Sequence, residues 1–80
     1  MIKVQLFAGL AEEIGARRVE LSVPEGTTVQ QLKRELARQY PRLTDKLETC
    51  MVAVNEEYVD PDENVTSSDT VVLIPPVSGG

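Results

Sequence analysis

The sequence predicts an α+β domain: one mixed sheet, a main helix packed on one face, and a short helix after the first strand. Three observations predict it. Runs that alternate in polarity or branch at Cβ stand near both ends of the chain, over residues 2–7 and 70–74. Only one stretch, 29–39, carries an apolar stripe at helical spacing for several turns. The 80 residues, 41% of them hydrophobic, make a single domain, and its one long amphipathic helix must bury its stripe against a sheet.

The first strand, 2–7, sets Ile2, Val4 and Leu6 on one face and Lys3, Gln5 and Phe7 on the other. Residues 8–14 read as a short helix that turns Leu10 and Ile14 inward, with Gly15 placed to end it. The second strand, 17–23, alternates Val19, Leu21 and Val23 with Arg18, Glu20 and Ser22 until Pro24-Glu25-Gly26 breaks it. Thr28 is a good N-cap, and Gln31 three residues on completes a capping box. The helix over 29–39 aligns Val29, Leu32, Leu36 and Tyr40, and Pro41 stops it.

Residues 41–50 show no readable period; Leu43 and Leu47 are expected to pin them to the core. Met51 to Val54 is a third strand, Asn55-Glu56-Glu57 a turn and Tyr58-Val59 a short fourth strand. Residues 60–69, rich in Asp, Asn, Ser and Pro, read as loop and turn. The last strand is 70–74, and its unbroken Val71-Val72-Leu73-Ile74 run suits a strand buried on both faces in mid-sheet. Set parallel to the first strand, it yields a β-grasp, or ubiquitin-like, arrangement. The expected organisation is a domain over 1–76 followed by a flexible Gly-Gly tail over 77–80.

Composition narrows the chemistry. There is no His, and the only Cys is Cys50, so neither a Ser-His-Asp nor a Cys-His site can be built, nor a Cys/His zinc site. No Gly-rich phosphate loop is present. The expectation is a chain that is no enzyme on its own, binds no metal and carries no cofactor. No apolar run approaches membrane-spanning length and the first residues lack a signal-peptide centre, so a cytoplasmic protein without membrane contact is expected. A lone Cys is ordinarily a small hydrophobe, and Cys50 is read as one.

Charge is uneven. Residues 1–50 hold all 8 bases and 7 acids, whereas 51–80 hold no base and the 6 acids Glu56, Glu57, Asp60, Asp62, Glu63 and Asp69. An anionic surface repels phosphates and removes nucleic acid as a partner. The acids read either as a solvated surface or as a patch that docks on a basic partner. Phe7, the only Phe, has two readings as well. It joins Tyr58, Val59 and Ile74 in an exposed partner-binding patch, or the 41–50 segment buries it.

The sequence ends Leu73-Ile74-Pro75-Pro76-Val77-Ser78-Gly79-Gly80. Together with Ile2-Lys3-Val4-Gln5-Leu6-Phe7-Ala8, with Leu10-Ala11-Glu12-Glu13-Ile14-Gly15 after it, and with Val52-Ala53-Val54-Asn55, this ending resembles the small subunits of molybdopterin synthase. That family comprises ubiquitin-like sulfur carriers, and the resemblance covers the whole chain. The turn before the last strand departs from it: Thr66-Ser67-Ser68-Asp69 stands where an aspartate- and glycine-rich turn is usual.

The resemblance implies that the Gly80 carboxylate is the reactive group. A ubiquitin-activating-type adenylyltransferase would activate it with ATP and magnesium, and a sulfur donor enzyme would convert it to a thiocarboxylate. The large subunit, in an expected heterotetramer, would then receive the sulfur. A glycine pair gives narrow passage and free bending, while Pro75-Pro76 stiffens the base of an arm that also includes Val77 and Ser78. Glu56 and Glu57 are expected beside Phe7, Ile74, Tyr58 and Val59 at the partner surface. Two other readings stay open: a sulfur carrier of thiamine-type biosynthesis, and a ubiquitin-like modifier conjugated through Gly80.

Overall fold

Strand β1 (Ile2–Leu6) buries Ile2, Val4 and Leu6 and exposes Lys3 and Gln5, the alternation that a sheet covered on one face requires. The computed structural model describes residues 1–75. After β1 come α1 (Ala8–Ile14), β2 (Arg18–Leu21), β3 (Thr27–Thr28) and α2 (Val29–Gln39). A 3₁₀ turn (Pro41–Leu43) leads into α3 (Thr44–Thr49). The chain continues through β4 (Met51–Val54), β5 (Glu57–Tyr58), β6 (Asn64–Val65) and β7 (Val71–Ile74).

Five strands form the main sheet in the order β2-β1-β7-β4-β5, and β3 pairs with β6 in a separate ribbon. At the centre β1 and β7 run parallel, Val4 opposite Val71 and Leu6 opposite Leu73. The outer pairings are antiparallel. This is the α+β, ubiquitin-like β-grasp that the sequence predicts.

Local signals placed α1 and α2 well. Gly15 adopts a left-handed conformation, φ +83°, and its N–H closes α1 on the Ala11 carbonyl at 2.8 Å. The Thr28 hydroxyl accepts from the Gln31 N–H at 3.2 Å while the Gln31 side chain accepts from the Thr28 N–H at 3.0 Å, the reciprocal capping box. Two further N–H groups of the first turn, of Val29 and Gln30, donate to the Glu63 and Pro61 carbonyls at 2.9 and 3.0 Å. The β5–β6 loop thus closes the start of α2, whose buried Val29, Leu32 and Leu36 face the sheet.

Several boundaries differ from the prediction. The first strand stops at Leu6, and Phe7 becomes the residue that opens α1. The second strand is only Arg18–Leu21. Pro41 ends α2 but starts a 3₁₀ turn and α3 rather than a loop, with Leu43 and Leu47 each 2% exposed in the core as expected. Residues 60–69 include strand β6, whose Val65 is fully buried. The hairpin turn is the pair Asn55-Glu56, φ +52° and +71°, so Glu57 already belongs to β5 and pairs with Val54. Two consecutive left-handed residues match the twist of the flanking strands, whereas right-handed turns of the same length would splay them.

The largest correction concerns β7. It is not buried on both faces: Val71 and Leu73 are fully buried, but Val72 and Ile74 are only half-buried. All packing helices lie on one side of the sheet, so the continuous apolar run leaves half its side chains on an uncovered face.

Candidate functional site

The register of the central strands defines an apolar area where β7 ends. Ile74 lies opposite Met51 on β4, and Leu6 opposite Leu73, which puts Phe7 one step further along, beside Ile74. Alternation sends Phe7, Ile74 and Met51 to the uncovered face. Phe7 and Met51 are each 51% exposed. The next row on this face runs Arg18, Gln5, Val72, Ala53, Tyr58, read from the four pairings of the five strands. Ala53 is small enough to be covered by its neighbours, and Tyr58 is 63% exposed. Pro75 continues from this edge, half-buried. Pro76, Val77, Ser78, Gly79, Gly80 and the proposed boundary after residue 76 lie outside the described residues.

Each residue expected at the partner surface can now be located. Phe7, Ile74 and Tyr58 share the uncovered face, and the 41–50 segment does not bury Phe7. Val59 does not join them. It follows Tyr58 in an extended chain, so it turns to the opposite side and packs against the core, its N–H donating to the Val52 carbonyl at 3.1 Å. Glu56 and Glu57 stand at the other end of the sheet from Ile74, because Val54 pairs with Val71, the first residue of β7. Met51, Ala53 and Val72 belong to the apolar face but carried no local signal. Only the strand order brings them beside Ile74.

The Cys50 thiol, 5% exposed, is pushed up by burial, partly offset by the Lys33 ammonium, which donates to the Cys50 carbonyl at 2.6 Å. A thiol held protonated is a poor nucleophile, in keeping with its reading as a core residue. Lys46 and Arg42 donate to Glu13 at 3.1 and 3.3 Å, tying α3 and the 3₁₀ turn to α1; with Lys46 the larger influence, they hold the Glu13 carboxyl below the usual range. Among the described residues no cluster of His, Cys, Asp and Glu could hold a metal ion, and no helix is long and apolar enough to cross a membrane.

Comparison with known proteins ties this geometry to a family. The model of the ThiS family matches residues 4–80. The chain belongs to the ThiS family. This ThiS-family chain is 40% identical over 81 residues to the molybdopterin synthase sulfur carrier subunit of Dictyostelium discoideum, covering 98% of this chain and 94% of that one. Among solved structures it resembles SAMP1 from Haloferax volcanii, TM-score 0.84 at 31% identity, over 99% of this chain and 98% of the other. A chain of the BexX/CysO complex of Amycolatopsis orientalis matches with TM-score 0.71 and 26% identity over 100% of both chains. The family read from the two ends of the sequence is thus the one the comparisons find.

Proposed function

We propose that the chain is the sulfur carrier subunit of a molybdopterin synthase and that Gly80 is its reactive residue. The observation that supports this reading most is the match to a sulfur carrier subunit along almost the whole of both chains. The fold adds a physical reason. β7, held on both edges by β1 and β4, is a rigid base that leads directly into Pro75.

A carboxylate is ionised at neutral pH and a poor electrophile, so it needs activation. The Gly80 carboxylate displaces pyrophosphate from ATP on an adenylyltransferase of the ubiquitin-activating type, forming an acyl-adenylate. A donor bringing sulfur at the sulfide level then displaces AMP and leaves a thiocarboxylate. In the large-subunit active site that sulfur attacks a carbon of the pterin precursor and displaces an oxygen leaving group. Water then cleaves the resulting thioester and returns Gly80 to a carboxylate, and two such deliveries complete a dithiolene. ATP and magnesium belong to the activating partner, while this chain supplies the acyl group and the surface that positions it. The apolar face around Phe7 and Ile74 docks the body, since a short arm is placed accurately only if its base is clamped.

Intact mass of the chain from its native cell tests the proposal. One oxygen exchanged for sulfur, with loss of molybdopterin synthesis when Gly80 is deleted or followed by an extra residue, is the expected result. An extended variant that stays unprocessed and still supports synthesis overturns it. The likeness to SAMP1, a small archaeal modifier protein, favours a second reading as a protein modifier. That reading predicts Gly80 joined to lysines of other proteins instead.

A further inference from the structure

Beside the apolar face lies a groove of about 470 Å³ lined by Gln5, Leu6, Phe7, Ala11, Arg17 and Arg18. Its two arginines are consecutive and exposed. Arg18 stands across from Gln5 in the β1–β2 pairing, and the Arg17 carbonyl accepts from the Leu6 N–H at 2.8 Å, so both side chains spring from a fixed backbone. The ion pairs among the described residues engage Arg38, Arg42 and Lys46, and neither Arg17 nor Arg18 takes part in one. This is unusual company in a chain of net charge −5 whose last thirty residues contain no base at all.

We propose that this groove receives an acidic segment of the protein that accepts the tail, its carboxylates held by Arg17 and Arg18. The inference rests on the docking role proposed for the Phe7 face. Phe7 forms a wall of the groove and also part of that face, so a partner covering one must approach the other. Covering two guanidinium groups without a counter-charge is unfavourable, because they lose water and gain nothing. Carboxylates answer both needs: the planar fork of an arginine matches a carboxylate with two parallel hydrogen bonds. An acidic partner is repelled by the rest of this chain, so the groove also fixes the orientation in which the two approach.

The test is binding of the full chain to the molybdopterin synthase large subunit from the same source, at low and at high salt. The double reversal R17E/R18E is expected to weaken binding about tenfold or more at low salt, with a flatter salt dependence, while its melting temperature stays near that of the parent. The neutral pair R17Q/R18Q should fall between the two and serves if the reversal disturbs folding. R34E, an exposed reversal on α2 that changes net charge by as much as R17Q/R18Q does, controls the neutral pair for net charge and should leave affinity near the parent value. Parent-like affinity and salt dependence in both arginine pairs, or an equal loss with R34E, overturns the inference while leaving the docking reading intact. Failure of the parent itself to bind overturns the proposed function and this inference with it.

Discussion

The two ends of the main sheet are built on opposite plans. At the hairpin end, polar groups are used on one another. The Asn55 side chain donates to Asp69 at 3.0 Å and accepts from the Thr70 N–H at 3.0 Å, the Asn55 N–H donates to the Thr70 carbonyl at 2.9 Å, and the Thr66 N–H donates to Asp69 at 2.8 Å. At the other end, Phe7, Met51 and Ile74 offer apolar side chains to solvent. One end is closed by its own hydrogen bonds and has little left to offer a partner. The other leaves unburied the apolar surface whose removal from water drives association. A sheet covered by helices on one face only makes this division possible, since strand residues facing away from the core are free to differ from end to end.

The strongest way to break this comparison is along β7 itself, where neighbouring residues face opposite sides. Leu73, fully buried, should lose about 3 kcal/mol of stability on replacement by alanine, visible as a lowered urea midpoint. Ile74→Ala should cost far less stability and instead weaken binding to the large subunit. Equal destabilisation by the two would mean that the uncovered face is covered after all. Next comes Phe7→Ala: about 2 kcal/mol of affinity, close to thirtyfold, with a melting temperature barely changed. If the variant mainly unfolds and its folded fraction binds normally, Phe7 belongs to the core.

At the hairpin end the expected effects are on stability alone. Glu56 holds φ +71°, which costs a residue with a side chain about 1 kcal/mol, so Glu56→Gly should raise stability by about that amount without altering association. A slower association at low salt would return this acid to the docking surface. The smallest effect is that of Asp69→Asn. Hydrogen bonds, first from Asn55 and then from Thr66, hold the Asp69 carboxyl below its usual range. A depressed folded value means the contribution is fully present above the unfolded aspartate value, about 3.9, and is lost as pH falls through the folded one. The melting-temperature gap between parent and variant should therefore be widest near neutrality and close in acid. A gap independent of pH would show that ionisation of Asp69 is not what stabilises the turn.

Much of this was legible in the sequence because it is local. The capping box at Thr28 and Gln31, the glycine stop at Gly15 and the stripe of α2 each arise from residues a turn apart. What escaped depends on residues far apart. Strands β3 and β6 have two residues each, too few for alternation to register, and they exist because Thr27 finds Val65 across 38 positions. Helix α3 hid behind Pro41, which ends one helix but is equally at home opening the next turn. Within the candidate site, Phe7, Tyr58 and Ile74 were named from their chemistry. Val59 was misplaced by one step of strand alternation, and Met51 was missed because its neighbour across the sheet is 23 positions away.

The parallel pairing of β1 with β7 also sets the order of events during synthesis. Leu6 and Leu73, opposite one another at the centre of the sheet, are separated by nearly the whole sequence, and β4 too has β7 as a neighbour. A nascent chain on the ribosome can form α2 and the β1–α1–β2 unit early, but those pieces have no sheet centre to join until residues 71–74 emerge. Such distant pairing makes folding late and slow for a chain of this size. It also couples two things the proposed carrier role needs together: the strand that completes the fold is the one that precedes Gly80 in the sequence, so a product truncated before β7 would lack both at once.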